Sequence, residues 1–244
     1  FGVFYRSGKG PDGLFDPSRA DRGLLYNTGH PDPKDPLHLF GVDDGLGWTS
    51  EAGEAFRLVG VYGHYGIWSE VSAACKAMRE AFVLTGEAVY ARKAGVLLAR
   101  IADVYPGMDW SYWAERGFYN SDGGSGRGRI YGRIWEPGLL VAFTECYDAV
   151  RTCWRDGDPL FDLLREKQAS FGLDAQDTVD RLCRHFEEHV VREGLQAIMQ
   201  GDVARNEPGD QVTVAILAVA LDAPDIDEWL DWIFREGYRR GGTP

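Results

Sequence analysis

From Ile67 onward, apolar residues recur three and four positions apart, the spacing that gathers side chains on one face of an α-helix. Val71, Ala74, Cys75, Met78 and Phe82 form the first such stripe, and Gly86 is placed to close it. A second stripe, Tyr90, Ala94, Leu97, Leu98, Ile101 and Tyr105, predicts a helix over 87–105 that Pro106 cannot continue. Periodicity fails between Gly107 and Trp135, where Ser121-Asp122-Gly123-Gly124-Ser125-Gly126-Arg127-Gly128-Arg129 reads as a surface loop. It resumes at Pro137 and runs through Leu140, Phe143, Cys146, Tyr147 and Val150. Asp158-Pro159 offers a cap and a first-turn proline for a helix reaching about Phe171. Asp174 is expected to cap a long helix carrying Val179, Leu182, Cys183, Phe186, Val190, Leu195 and Ile198 and ending near Gly201. Shorter helices are predicted over 211–221 and 226–237.

Residues 1–66 behave differently. Asp12-Gly13, Asp16-Pro17, His30-Pro31 and Asp35-Pro36 mark repeated turns. The alternation from Ala55 to Tyr62 predicts a strand, with Trp48 and Thr49 on its hairpin partner. The expected organisation is therefore an irregular, turn-rich segment over 1–66 and a helical domain over 67–244. Helices joined by short connections favour antiparallel neighbours, and the mainly α fold fits a layered array or an α/α toroid of paired helices.

Charge narrows the possible partners. A net charge of -12 over 244 residues repels phosphate at long range, which argues against nucleic acid and anionic membrane surfaces. The longest apolar run, Val212 to Leu221, is far short of the ~20 residues a bilayer span requires. Cys75, Cys146, Cys153 and Cys183 form no CxxC pair and read as buried free thiols. The chain opens on Phe1 and closes on Gly241-Gly242-Thr243-Pro244, which points to truncation at both ends.

Against this acidic background Arg127, Arg129 and Arg133 interleave with Tyr131 and Trp135. Guanidinium groups grip carboxylate or sulfate in bidentate fashion, and aromatic faces stack on sugar rings, so the cluster fits an anionic saccharide. The alternative is that the arginines pair with Asp122 and Glu136 and hold the loop shut. A phosphate-binding reading of the glycines lacks a preceding strand and a GK[ST] ending. Tyr62-Gly63-His64-Tyr65-Gly66 would present an imidazole and a phenol at a loop-to-helix junction, where both can trade protons, or hold them as structural residues. His185 and His189 stand four apart but without the HExxH order, and read as a solvated helical face. Asn206 precedes an apolar helix whose N-terminus would favour a carboxylate, although on sequence chemistry alone a plain turn role is the better reading.

The run Tyr105-Pro106-Gly107-Met108-Asp109, then Ser121 to Gly126, then Ile130-Tyr131-Gly132-Arg133-Ile134-Trp135-Glu136-Pro137, with Tyr147-Asp148-Ala149, resembles the helical domain of heparinase II/III-like polysaccharide lyases. His30-Pro31-Asp32-Pro33, Gly41 to Gly45 and Gly63-His64-Tyr65-Gly66 are similar to the same group. The resemblance implies an incomplete α/α toroid whose usual C-terminal β-sandwich is absent here, together with any structural metal that sandwich carries. No other cofactor is implied.

The implied reaction is β-elimination on a uronic-acid-containing glycan. A carboxylate-facing donor, matched by Asn206, neutralises the sugar acid, while His64 or Tyr65 moves protons. Arg127, Arg129, Tyr131, Arg133, Trp135, Glu136 and Gln211 would bind the polymer. Asp210 stands where many members carry His, and an anion there would repel a uronate. A polymeric substrate places the parent protein in a secreted or periplasmic setting. Two other readings stay open: a noncatalytic glycan-binding or scaffold domain, and a helical-barrel glycoside hydrolase using Asp122 and Glu136.

Overall fold

The computed structural model describes residues 7–9, 15–20, 25–27, 31–36, 38, 48–50, 55–56, 58–111, 126–206, 208–221, 224 and 226–236. The chain is mainly helical and divides into two compact units. The first comprises Phe1–Ile67 and Tyr112–Ser125, the second Trp68–Ser111 and Gly126–Pro244.

Short antiparallel strands occupy the first unit. Strands β1 (Ser7–Lys9) and β2 (Phe15–Ala20) pair with a register irregularity. In a second sheet, β4 (Trp48–Ser50) lies between β3 (Leu25–Asn27) and β5 (Ala55–Phe56). Trp48 faces Phe56 and Thr49 faces Ala55, the hairpin that alternation predicts. Its strand is shorter than expected, because α1 (Leu58–Thr85) begins at Leu58. Of the eight alternating residues, Leu58 to Tyr62 are taken into the long helix, since extending an existing helix costs far less than nucleating one. Gly86, at φ 70°, closes α1 by donating to Phe82 O at 2.7 Å.

The second unit is built on α2 (Ala88–Val104), which packs against α3 (Glu136–Arg151), α4 (Pro159–Phe171) and α5 (Val179–Phe186). Ala91, Ala94, Leu98, Ile101 and Ala102 form its buried face. Gly95 sits on the same face because a Cβ there would meet Leu160 Cδ2 at 2.8 Å, so the missing side chain is what lets α4 approach. Pro106 converts the end of α2 into a 3₁₀ turn over Tyr105–Gly107, with Tyr105 fully buried.

Helix α4 starts as the sequence predicts. Asp158 accepts from Leu160 N at 3.0 Å, Pro159 occupies the first turn, and Arg92 Nε binds the same carboxylate at 2.8 Å. The cap of α5 is Thr178, which accepts from Arg181 N, and not the expected Asp174. A π-helical segment, Glu187–Arg192, joins α5 to α6 (Glu193–Gln200). Leu182, Phe186, Val190, Leu195 and Ile198 all point into the core, as their spacing requires. Helix α7 (Gly209–Leu221) packs on α3, α6 and α8 (Ile226–Asp231), and a π-helical turn covers Trp232–Glu236.

Cys75 and Cys146 are buried and free, whereas Cys153 and Cys183, also free, are half-buried rather than enclosed. His185 corrects a second expectation. It is 9% exposed, with Nε2 3.0 Å from Asp103 Oδ1, so it faces the α2 helix and not solvent. Among the described residues no helix is long and apolar enough to cross a membrane.

Candidate functional site

The arginine-bearing segment after Gly126 is held from below by one carboxylate. Glu136, at the start of α3, has no exposure at all. Its Oε2 accepts from Arg129 N at 2.5 Å and Ile130 N at 2.8 Å, and its Oε1 accepts from Tyr105 Oη at 2.6 Å. Burial pushes the Glu136 carboxyl above the usual carboxylate range, against the downward pull of these three donors and the Arg129 charge. Burial and the neighbouring Glu136 likewise push the Tyr105 phenol up.

Gly132 completes the fold of the segment. It lies at φ 78°, and a Cβ there would come within 2.6 Å of Trp110 Nε1. Ile130, Tyr131 and Gly132, just beyond the glycine-rich run, are buried. Tyr131 is 7% exposed and presents no open ring face for stacking, while Trp135 is 51% exposed.

Two guanidinium groups meet at one carbonyl. Arg127 Nη1 donates to Gly201 O at 3.2 Å and Arg133 Nε donates to the same oxygen at 3.1 Å. Gly201 is the left-handed cap of α6, so the arginines sit at the negative end of a helix. Arg127 Nε also stands 4.0 Å from Asp202 Oδ1. Arg129 turns inward, donating to Pro106 O at 2.7 Å and forming an ion pair with Glu193. Its guanidinium lies 5.2 Å from the Tyr105 ring centroid.

Arg127 and Arg129 border a cleft of about 250 Å³, lined also by Glu193, Gln196, Gln200 and Asp202. Arg127 keeps a side-chain exposure of 54%. The cleft is a mixed-charge, amide-rich trough whose most accessible cation is Arg127. Gln196 and Gln200 escape sequence reading. They are four apart on one helix face, a pattern that any solvated helix shows.

The connection after the cleft is tied to the same segment through Ala204 N, which donates to Arg133 O at 3.0 Å. Asn206 is exposed there, with its carbonyl accepting from Gly209 N at 2.7 Å. Asp210 is 3% exposed and accepts from Arg205 N at 2.6 Å. Burial lifts its carboxyl to about 6, while the Arg205 amide and the charges of Arg133 and Arg205 pull the other way. A group so enclosed does not present a free anion to a sugar acid. Gln211 is half-buried, and its Oε1 meets no hydrogen-bonding partner among the described residues.

His64 and Tyr65 lie inside α1, half-buried, in the first unit. They are helical residues, not the loop-to-helix junction that flanking glycines predict. Gly41 to Gly45 and Asp122 lie outside the described residues. No group of His, Cys, Asp and Glu suited to a metal ion occurs among the described residues.

No family model, curated protein or solved structure matches this chain.

Proposed function

We propose that this chain is the helical, α/α-toroid part of a polysaccharide lyase that binds a uronic-acid-containing glycan and cleaves it by β-elimination. The observation that carries the binding half is the polar cleft lined by Arg127, Arg129, Gln196 and Gln200. Guanidinium and amide donors are what a carboxylated, hydroxyl-rich chain needs, and Trp135 offers an exposed ring to a sugar face.

For the chemistry, Asn206 is the exposed amide that would face the sugar carboxylate, and proton removal and return fall to His64 or Tyr65 only on the family resemblance. The burial of Asp210 supports this assignment, since it removes the repulsion that an open anion next to Gln211 would impose. Such a polymer-degrading enzyme acts in a secreted or periplasmic setting.

A noncatalytic glycan-binding role is the second reading. It is favoured by one observation: the described residues lining the cleft include no imidazole and no phenol. The experiment that separates the two incubates the protein with glycosaminoglycans, alginate and ulvan and follows the ultraviolet absorbance of unsaturated uronate ends. The lyase reading predicts a rise on at least one polymer that Asn206→Ala abolishes. Folded protein that binds a polymer but yields no product at any pH establishes the binding role instead.

A further inference from the structure

A second cavity, of about 290 Å³, opens between α2, α4 and the connection that follows α4, away from the arginine cleft. Its walls are largely apolar, from Val96, Ala99, Leu164, Phe171 and Leu173. Five polar or charged side chains break that surface. Gln176 lines it and is 2% exposed. Its Nε2 donates to Asp103 Oδ1 at 2.7 Å, which settles the orientation of the amide because a carboxylate can only accept. Its Oε1 is therefore an enclosed acceptor, and it meets no donor among the described residues. Gln168, on α4, also lines the cavity with a buried Nε2 that meets no acceptor among them.

Arg100 and Lys167 supply positive charge to the lining, with Arg100 61% exposed along its side chain. Arg100 Nη1 is 3.7 Å from Asp103 Oδ2, and Lys167 Nζ is 5.8 Å from the Phe171 ring centroid. Asp103 also contributes to the lining, but its carboxylate is occupied by Gln176, His185 and Arg100.

We infer that this cavity binds a small aromatic carboxylate carrying a ring hydroxyl. A hydroxyl group both accepts and donates, so it can take a hydrogen from Gln168 Nε2 or give one to Gln176 Oε1, where a purely apolar occupant would leave both amides unmatched. The ring matches the apolar walls, and a volume at the small end of ligand sites admits a single ring. The carboxylate points to Arg100 and Lys167. The site is independent of the glycan reading, since it shares no residue with the arginine cleft.

The test is calorimetric or ligand-observed NMR titration of the intact chain with 4-hydroxybenzoate, with benzoate and 4-hydroxybenzyl alcohol as comparators. The expected result is saturable one-to-one binding, weakened about fivefold or more in each comparator, by analogy with the loss of one hydrogen bond or ion pair. Gln168→Leu and Arg100→Ala, both at helix positions that are not enclosed, should weaken 4-hydroxybenzoate to a similar degree. Gln200→Ala, in the other cleft, should leave it unchanged. Absence of saturable binding into the millimolar range, or binding indifferent to Gln168→Leu and Arg100→Ala, overturns the assignment.

Discussion

Tyr105 donates its phenolic hydrogen to Glu136 at 2.6 Å, and the acceptor is wholly enclosed. The pair joins the end of α2 to the start of α3 and fixes the segment that carries the arginines. Tyr105→Phe removes one hydrogen bond to an ionisable partner and should cost about 1.5–3 kcal/mol. Glu136→Ala strands Arg129 N and Ile130 N as well and should cost more. Urea denaturation of the two variants checks the order, and equal, negligible losses would mean the carboxylate does not hold the segment.

Gly132→Ala should be among the more damaging single substitutions in the second unit. The added Cβ would meet Trp110 Nε1 at 2.6 Å, from a backbone at φ 78° that side-chain-bearing residues rarely adopt. Strain and overpacking together should cost about 2–4 kcal/mol. Thermal unfolding of the variant, with Gly138→Ala as a control where nothing lies within 4 Å, measures it.

Asp210 makes stability depend on pH in a stated direction. Its carboxyl is raised from 3.8 to about 6 in the folded chain, so between those values the native state holds a proton that the unfolded state has lost. Stability contributed by this group is complete below about 3.8 and is lost as pH rises through about 6. Asp210→Asn keeps an acceptor for Arg205 N and removes the titration. The variant should gain stability relative to the parent as pH climbs from 4 to 7, and parallel urea-midpoint curves across that range would contradict the shift.

Local signals in the sequence were readable where the structural cause is itself local. Asp158-Pro159 marks the start of α4 because the cap and its amide partner are two residues apart. The choice of Thr178 over Asp174 was not readable, since both carry an oxygen and only the path of the backbone decides which reaches an amide. The site was legible as residue types and illegible as contacts. Arg127 and Arg133 share the carbonyl of Gly201, 74 and 68 positions away, and no periodicity encodes such a meeting. Glu136 carried a partial signal, an acidic residue immediately ahead of Pro137 after a glycine-rich run, but its burial depends on Tyr105 arriving from another helix. His185 and Asp103 are 82 positions apart, which is why a buried imidazole reads as a solvated one.

Direct binding of an acidic oligosaccharide to the arginine cleft bears most closely on the proposed function. Titration with a series of uronate oligosaccharides, at low and high salt, should give an affinity that falls with ionic strength and is reduced about tenfold in an Arg127→Ala, Gln200→Ala double variant, through loss of a charge-assisted contact and an amide. Because Arg127 is exposed, the variant should unfold at nearly the parent's midpoint. Affinity that survives the double substitution, or no binding of any uronate oligosaccharide by the folded protein, would contradict the account.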